Sequence, residues 1–254
     1  MPLSGSLKTL LLRGLLAGLI AGLLAGTVGF LIGEPKVEAA IAIEEAQAAQ
    51  SHGGGGHSHG DEEEALVSRT GQKFGQFLAL GLTGMALGAI YAAVANVARR
   101  HTNSPGPRLA LGLAAGGWLA IVAVPFFKYP ANPPAVGDPE TINDRTWLWV
   151  AVVLLGFAAV GVAVYVFELL RGRLETVRLI GATAAFVAIV AVGYIALPGV
   201  NEVADDFPAS LLWEFRVASL SVTTTLWVVL GLAFAALTEF ASRAQVREIA
   251  EPAR

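Results

Sequence analysis

Six apolar runs, at about 10–32, 74–98, 109–127, 147–170, 179–197 and 217–237, limit what this chain can become more than any single motif does. The first is interrupted only by Arg13 near its start. At 1.5 Å per residue it reaches about 34 Å, enough to cross a bilayer. With 55% hydrophobic and 15% charged residues, the chain is too apolar for an ordinary soluble domain. The expected fold class is therefore an all-α integral membrane protein. It is read as a single polytopic domain over 1–254, a bundle of about six transmembrane helices with a His/acidic external loop at 34–73. Gly14, Gly18, Gly22 and Gly26 recur every fourth residue beside Ala17, Ala21 and Ala25, a small-residue stripe that lets a neighbouring backbone approach closely. The uncharged stretch from Gly14 through Gly33 exceeds the apolar core of a secretory signal, about 7 to 15 residues, so the run is read as a retained span.

Glu34, Pro35, Lys36 and Glu38 are expected to end the first helix, with a short helix over 37–50 beyond them. Six spans put both termini on one side. Eleven of the 17 Lys and Arg residues fall in the amino-terminal segment, the second and fourth loops and the tail, among them Arg99, Arg100, Arg171 and Arg173. The positive-inside rule makes that side cytoplasmic. The expected location is the cell membrane, multi-pass, with both termini cytoplasmic and the His-bearing loop external. The remaining loops hold only six basic residues but fifteen of the 20 acidic ones, and such a face concentrates cations before any specific binding.

One stretch is composed for chemistry and not for burial. From His52 the chain reads His-Gly-Gly-Gly-Gly-His-Ser-His-Gly-Asp-Glu-Glu-Glu. His52, His57 and His59 thus share a segment with Asp61, Glu62, Glu63 and Glu64. Imidazole nitrogens mixed with carboxylate oxygens suit a divalent transition metal. Four consecutive glycines make such a loop costly to order, which predicts a weak collector. Because each ligand must be deprotonated, affinity should fall as pH drops through the histidine range near about 6.5. The competing reading is a solvated polar tether, which predicts no such pH dependence.

The other loops on that face supply oxygen donors that could line an entrance: Glu34 and Glu38 before the His segment, Asn132, Asp138 and Glu140 in a proline-rich third loop, and Glu202, Asp205, Asp206 and Glu214 in the fifth. Glu214 and Arg216, two apart, could equally pair with each other. A rigid outer cap, with Lys128 and Arg145 anchoring helix ends, is the alternative reading of the third loop. Within the spans, Ser219, Ser221, Thr223, Thr224 and Thr225 form the dense polar cluster, and hydroxyls there can bond back to their own helix.

Several classes are excluded or disfavoured. With no cysteine, thiolate sites and iron–sulfur clusters are out. Only two methionines argue against a copper(I) route. No histidine lies inside a span to ligate haem, and no carboxylate sits mid-span to relay protons. A phosphate-binding Gly-x-x-x-x-Gly-Lys-Ser/Thr loop is absent, so ATP is not used in that manner. The flexible glycines also argue against a preorganised catalytic site, so no enzyme is expected.

The Gly/Ala-rich first helix leading to Glu34-Pro35, the His-acidic loop, Lys128-Tyr129-Pro130 with Asn132-Pro133-Pro134, Arg145-Thr146 and the Trp213-to-Arg216 segment together resemble the CbtA family, predicted cobalt transporter subunits of bacteria and archaea. The resemblance implies cobalt uptake linked to B12 synthesis, with Co2+ as cargo and no permanently bound cofactor. It also implies a small, single-span, His-bearing partner, CbtB. Members are often described with five spans, whereas six are counted in this sequence. The remaining partners expected are membrane lipid and a divalent metal ion; a homo-oligomer is compatible with the pattern, and no nucleic acid is implied. The rival function is a non-conducting, membrane-anchored metal collector or sensor that hands metal to another transporter.

Overall fold

The structure, a computed structural model, describes residues 3–51, 68–134, 136–137, 141–204 and 206–250. Among these residues every regular element is helical: α1 (Leu7–Val28), α2 (Glu34–Ser51), α3 (Arg69–Ala98), α4 (Gly106–Trp118), α5 (Val124–Lys128), α6 (Ile142–Leu169), α7 (Glu175–Ala196) and α8 (Ala209–Ala250). Among the described residues, six helical stretches are long and apolar enough to cross a membrane. Helices are the expected solution there, because they satisfy backbone polar groups without water.

The expected break at Glu34-Pro35 does not occur. Helix α1 runs through a π-helical turn, Gly29–Gly33, straight into α2, so that Leu7–Gln47 forms one stretch of 41 residues. Proline has no N–H to donate, and its ring crowds the carbonyl one turn back. A wider turn relieves both problems by changing register: the Glu34 N–H donates to Gly29 O, five residues back. The same device precedes Pro125. There Leu119–Ala123 forms the π turn between α4 and α5, and the Val124 N–H donates to Leu119 O. The remaining helices start earlier than hydropathy suggests, α3 at Arg69 and α8 at Ala209, because helices continue past the apolar boundary into polar sequence. Trp213 to Arg216 are therefore helical, not loop.

The chain divides into two compact units. The first comprises Met1–Ala114, Pro133–Ala135 and Ala209–Arg254. Within it, glycine brings backbones together. A Cβ placed on Gly14, Gly18 or Gly22 of α1 would overlap the carbonyl oxygen of Gly88, Gly84 or Leu80 of α3, and a Cβ on Gly84 or Gly88 would overlap α1 in return. On the other side of the same unit, the Tyr91 hydroxyl donates to Ala110 O, and its ring meets Phe234 of α8 edge-on at 5.2 Å between centroids. Arg99 ties down the amino-terminal segment by donating to Gly5 O at 2.9 Å and Leu3 O at 3.2 Å, and is itself held by Asn96 Oδ1 of α3 at 2.6 Å.

The second unit, Ala115–Asn132 and Val136–Pro208, uses fewer close approaches. Gly156 of α6 sits against the Ala120 backbone, and Gly181 and Gly193 of α7 sit beneath Leu170, which caps α6, and Leu155 of α6. Lys128 Nζ donates to Tyr194 O and Leu197 O, each at 2.9 Å, and the Tyr194 hydroxyl donates to Val124 O. The two lysine bonds satisfy carbonyls at the end of α7 that no helical donor reaches. Helix α7 has no fully buried residue; Ile180, Val187, Val192 and Ile195 form an apolar outer surface suited to lipid.

Candidate functional site

The expected donors fall into three groups. His52, His57, His59, Asp61, Glu62, Glu63 and Glu64, together with Asp138, Glu140 and Asp205, lie outside the described residues. The His segment is flanked by the end of α2 at Ser51 and by Ser68, whose hydroxyl caps α3 by accepting from the Gly71 N–H at 3.2 Å. Glu34, Glu38 and Glu214 belong to the first unit, whereas Asn132, Glu202 and Asp206 belong to the second.

In the first unit these three carboxylates are already matched with cations. Glu34 is largely buried, its side chain 12% exposed, and Oε1 lies 2.5 Å from Arg69 Nη2 and 3.8 Å from Lys73 Nζ. Lys73 lies closer to Glu38, at 2.5 Å. Arg69 also donates to Gln72 Oε1 at 2.8 Å. Glu214 pairs with Lys36 of α2, a partner 178 residues away in sequence and not the neighbouring Arg216. One turn inward, the Gln76 amide occupies the notch at Gly29, where a Cβ would overlap its nitrogen and lie 3.5 Å from Val222 of α8.

In the second unit Glu202 is the most enclosed carboxylate described, 7% exposed. Its Oε1 accepts from the Thr141 hydroxyl. Oε2 lies 2.8 Å from Arg145 Nη1, yet no N–H points along that line, so this oxygen has charge compensation without a hydrogen bond. Gly137 makes the approach feasible: its φ of 123° suits glycine, and a Cβ there would fall 2.6 Å from Arg145 Nη1 and 3.2 Å from Glu202 Oε2. The Tyr129 hydroxyl donates to Pro198 O at 2.6 Å, and burial pushes its pKa up. Arg145 and Lys128 thus hold neighbouring segments in place.

Among the described residues, no three His, Cys, Asp or Glu side chains gather closely enough to hold a metal ion. Three hydroxyls of the α8 cluster bond back onto their own helix: Ser221 to Val217 O, Thr223 to Ser219 O and Thr225 to Ser221 O, at 2.8 to 3.0 Å. The helix-face pairs are ordinary, Glu168 with Arg171 and Glu239 with Arg243. Sequence reading missed Gln76. Its signal was the spacing of Arg69, Gln72, Lys73 and Gln76, which places four polar residues on one face of α3.

A family described as probable cobalt transporter subunit (CbtA) matches residues 7–239. The chain belongs to the CbtA family. No curated protein and no solved structure matches it. As a CbtA member whose described residues include six helices long enough to span, it is a multi-pass membrane protein of a family of probable transporter subunits. The word subunit in the family's description implies a partner protein.

Proposed function

We propose that this CbtA chain is the membrane subunit of a cobalt uptake system serving B12 synthesis. The His/acidic loop is external and both termini are cytoplasmic. The family match over residues 7–239 carries the proposal, and the excess of Lys and Arg on the terminal side supports the orientation. His52, His57, His59 and Asp61 to Glu64 collect Co2+ weakly. Oxygen donors at the span ends attract the cation in each unit: Glu34, Glu38 and Glu214 in the first, and Asn132, Asp138, Glu140, Glu202, Asp205 and Asp206 in the second. An inside-negative potential of 100 mV favours entry of a divalent cation by about 4.6 kcal/mol, twice the value for one charge, so uptake needs no nucleotide in this chain. A small single-span CbtB-like protein is the natural partner.

A second reading has an observation in its favour. Glu34, Glu38, Glu202 and Glu214 all face Lys or Arg, and the Ser221, Thr223 and Thr225 hydroxyls of α8 are turned back on their own helix. That arrangement suits a collector that passes metal to another protein and conducts nothing. Radioactive cobalt uptake into cells separates the two. Wild type is compared with a deletion of His52 to Glu64, each with and without a dissipated membrane potential. Potential-dependent uptake that falls in the deletion is expected; cobalt binding with uptake never above that of empty cells would leave the collector standing.

A further inference from the structure

The two ends of the first unit treat their cations differently. At the end that carries Glu34, the side chains of Lys36, Arg69 and Lys73 each meet a carboxylate. At the end that carries the amino terminus, Lys8, Arg13, Arg99, Arg100 and Arg108 form no ion pair among the described residues. Residues 3–33 and 69–137 contain no Asp or Glu, and Glu239 of α8 is taken up by Arg243 at 2.5 Å. The charge at this end is therefore left for something outside the chain to balance.

Two of these cations converge. Arg13 of α1 donates from Nη1 to Ser4 O at 3.4 Å, and Arg99, which caps α3, donates to the carbonyls on either side, Leu3 O and Gly5 O. Two half-buried guanidinium groups thus meet on one short segment. Gly5, at a φ of 113°, gives that segment its turn. Leu3 is buried against the start of α4, where a Cβ on Gly106 would lie 3.4 Å from Leu3 Cα, so Arg108 stands close by. Every acceptor the two arginines hold is neutral, the Asn96 amide included. Their hydrogen bonds orient the charges without cancelling them. Like charges this close repel, and an anion between them relieves it. The Arg99 Nε–H has no acceptor among the described residues, and guanidinium N–H groups match the oxygens of a phosphate. The apolar neighbours indicate where that phosphate comes from. Leu7 and Leu12 of α1 and Val94 and Val97 of α3 are exposed beside the arginines, within stretches long enough to span a membrane, and so offer acyl chains a surface next to the charged group.

We infer that Arg13 and Arg99 hold the phosphate of an anionic phospholipid where α1 and α3 meet the amino-terminal segment, while Lys8, Arg100 and Arg108 add attraction from the rim. Basic pockets between spanning helices bind such headgroups. The lipid supplies the missing counter-charge and fastens residues 3–5 to the helix ends. The site does not depend on whether the chain conducts cobalt. Mere attraction of a basic surface to an anionic membrane would make the five cations equivalent; the convergence makes Arg13 and Arg99 matter most.

The test uses the whole protein purified in a neutral detergent. Thermal stability and lipid retained in native mass spectrometry are followed as phosphatidylglycerol is added, with phosphatidylcholine of the same chains and soluble glycerol phosphate as the comparisons. Phosphatidylglycerol is expected to raise the unfolding temperature saturably, and the other two to leave it unchanged. Arg13→Gln is expected to weaken phosphatidylglycerol binding about tenfold, the loss of one charge-assisted contact, whereas Arg108→Gln on the rim changes it by less than about twofold. Each variant is compared with its own lipid-free stability, so that a lost folding contact is not counted as lost lipid. Wild-type binding in Arg13→Gln, or an equal loss in Arg108→Gln, would overturn the inference. Should Arg13→Gln fail to fold, Arg99→Gln is read in its place, and should both fail, the three additives on wild type decide. Equal stabilisation by phosphatidylcholine would mean that acyl chains alone are recognised, and equal stabilisation by glycerol phosphate that the site takes a soluble anion; either result overturns the lipid assignment.

Discussion

Replacing Gly18 with alanine should separate two helices. A Cβ at that position overlaps the Gly84 carbonyl oxygen, lies 2.6 Å from the Gly84 carbonyl carbon and 3.1 Å from Met85 Cα. All three atoms are backbone, so no rotamer change makes room, and α1 must retreat from α3 by something approaching 1 Å. A gap of that size forfeits roughly a quarter to a half of each dispersion contact along the seam, and weak Cα–H···O contacts lengthen with it. Overpacking of this kind costs about 1–3 kcal/mol, offset by up to about 1 kcal/mol for the better helix propensity of alanine. Gly81 on α3 is the internal control: a Cβ there meets nothing nearer than Leu19 Cδ1 at 3.6 Å, an ordinary contact. Gly81→Ala should therefore be neutral or slightly stabilising, whereas Gly18→Ala is destabilised. The pair Gly18→Ala with Gly84→Ala should cost less than the sum of its parts, because the first change has already opened the seam. Reversible unfolding of the purified protein in mixed detergent measures all four. If Gly18→Ala proved as stable as Gly81→Ala, the backbone-to-backbone seam would not exist as described.

Two further outcomes follow from named contacts. Arg145→Ala leaves the enclosed Glu202 carboxylate without compensation and should lower stability by about 3 kcal/mol, the low end of the range for a broken buried pair because the arginine is partly exposed. In a Glu202→Gln background the same change should cost far less, and an equal cost in both backgrounds would show that the two groups do not interact. For the His segment, cobalt binding to the whole protein should weaken between about pH 7.5 and about pH 5.5, since protons compete for neutral imidazoles as pH falls; flat binding across that window would return the segment to a plain tether.

What could be read from the sequence follows from the range of the forces involved. The six spans are local facts, set by runs of apolar residues, and they were legible. So were the helix-face pairs Glu168 with Arg171 and Glu239 with Arg243, and the anchoring roles of Lys128 and Arg145. Pro35 misled because proline is normally a terminator, and nothing in the local sequence announces a change of hydrogen-bond register that accommodates it. Partners distant in sequence were also hidden: Glu214 has Arg216 two residues away, yet its charge is met by Lys36, which only packing brings near. Gln76 escaped notice for another reason, as a single amide in a glycine-rich run carries little weight until three helices converge on it.

The wide turn at Gly29–Gly33 also sets the azimuth of everything beyond it. An α-helix advances about 100° per residue, so one residue more or less in that turn twists the outer half of the helix by that angle while leaving the inner half in place. Deleting a residue there would act as a rotation and not as a shortening. Glu34 would swing away from Arg69 and Lys73, and Lys36 away from Glu214, although none of these residues had been changed. Length in this short segment is thus information, and the chain should tolerate substitution within it far better than any insertion or deletion.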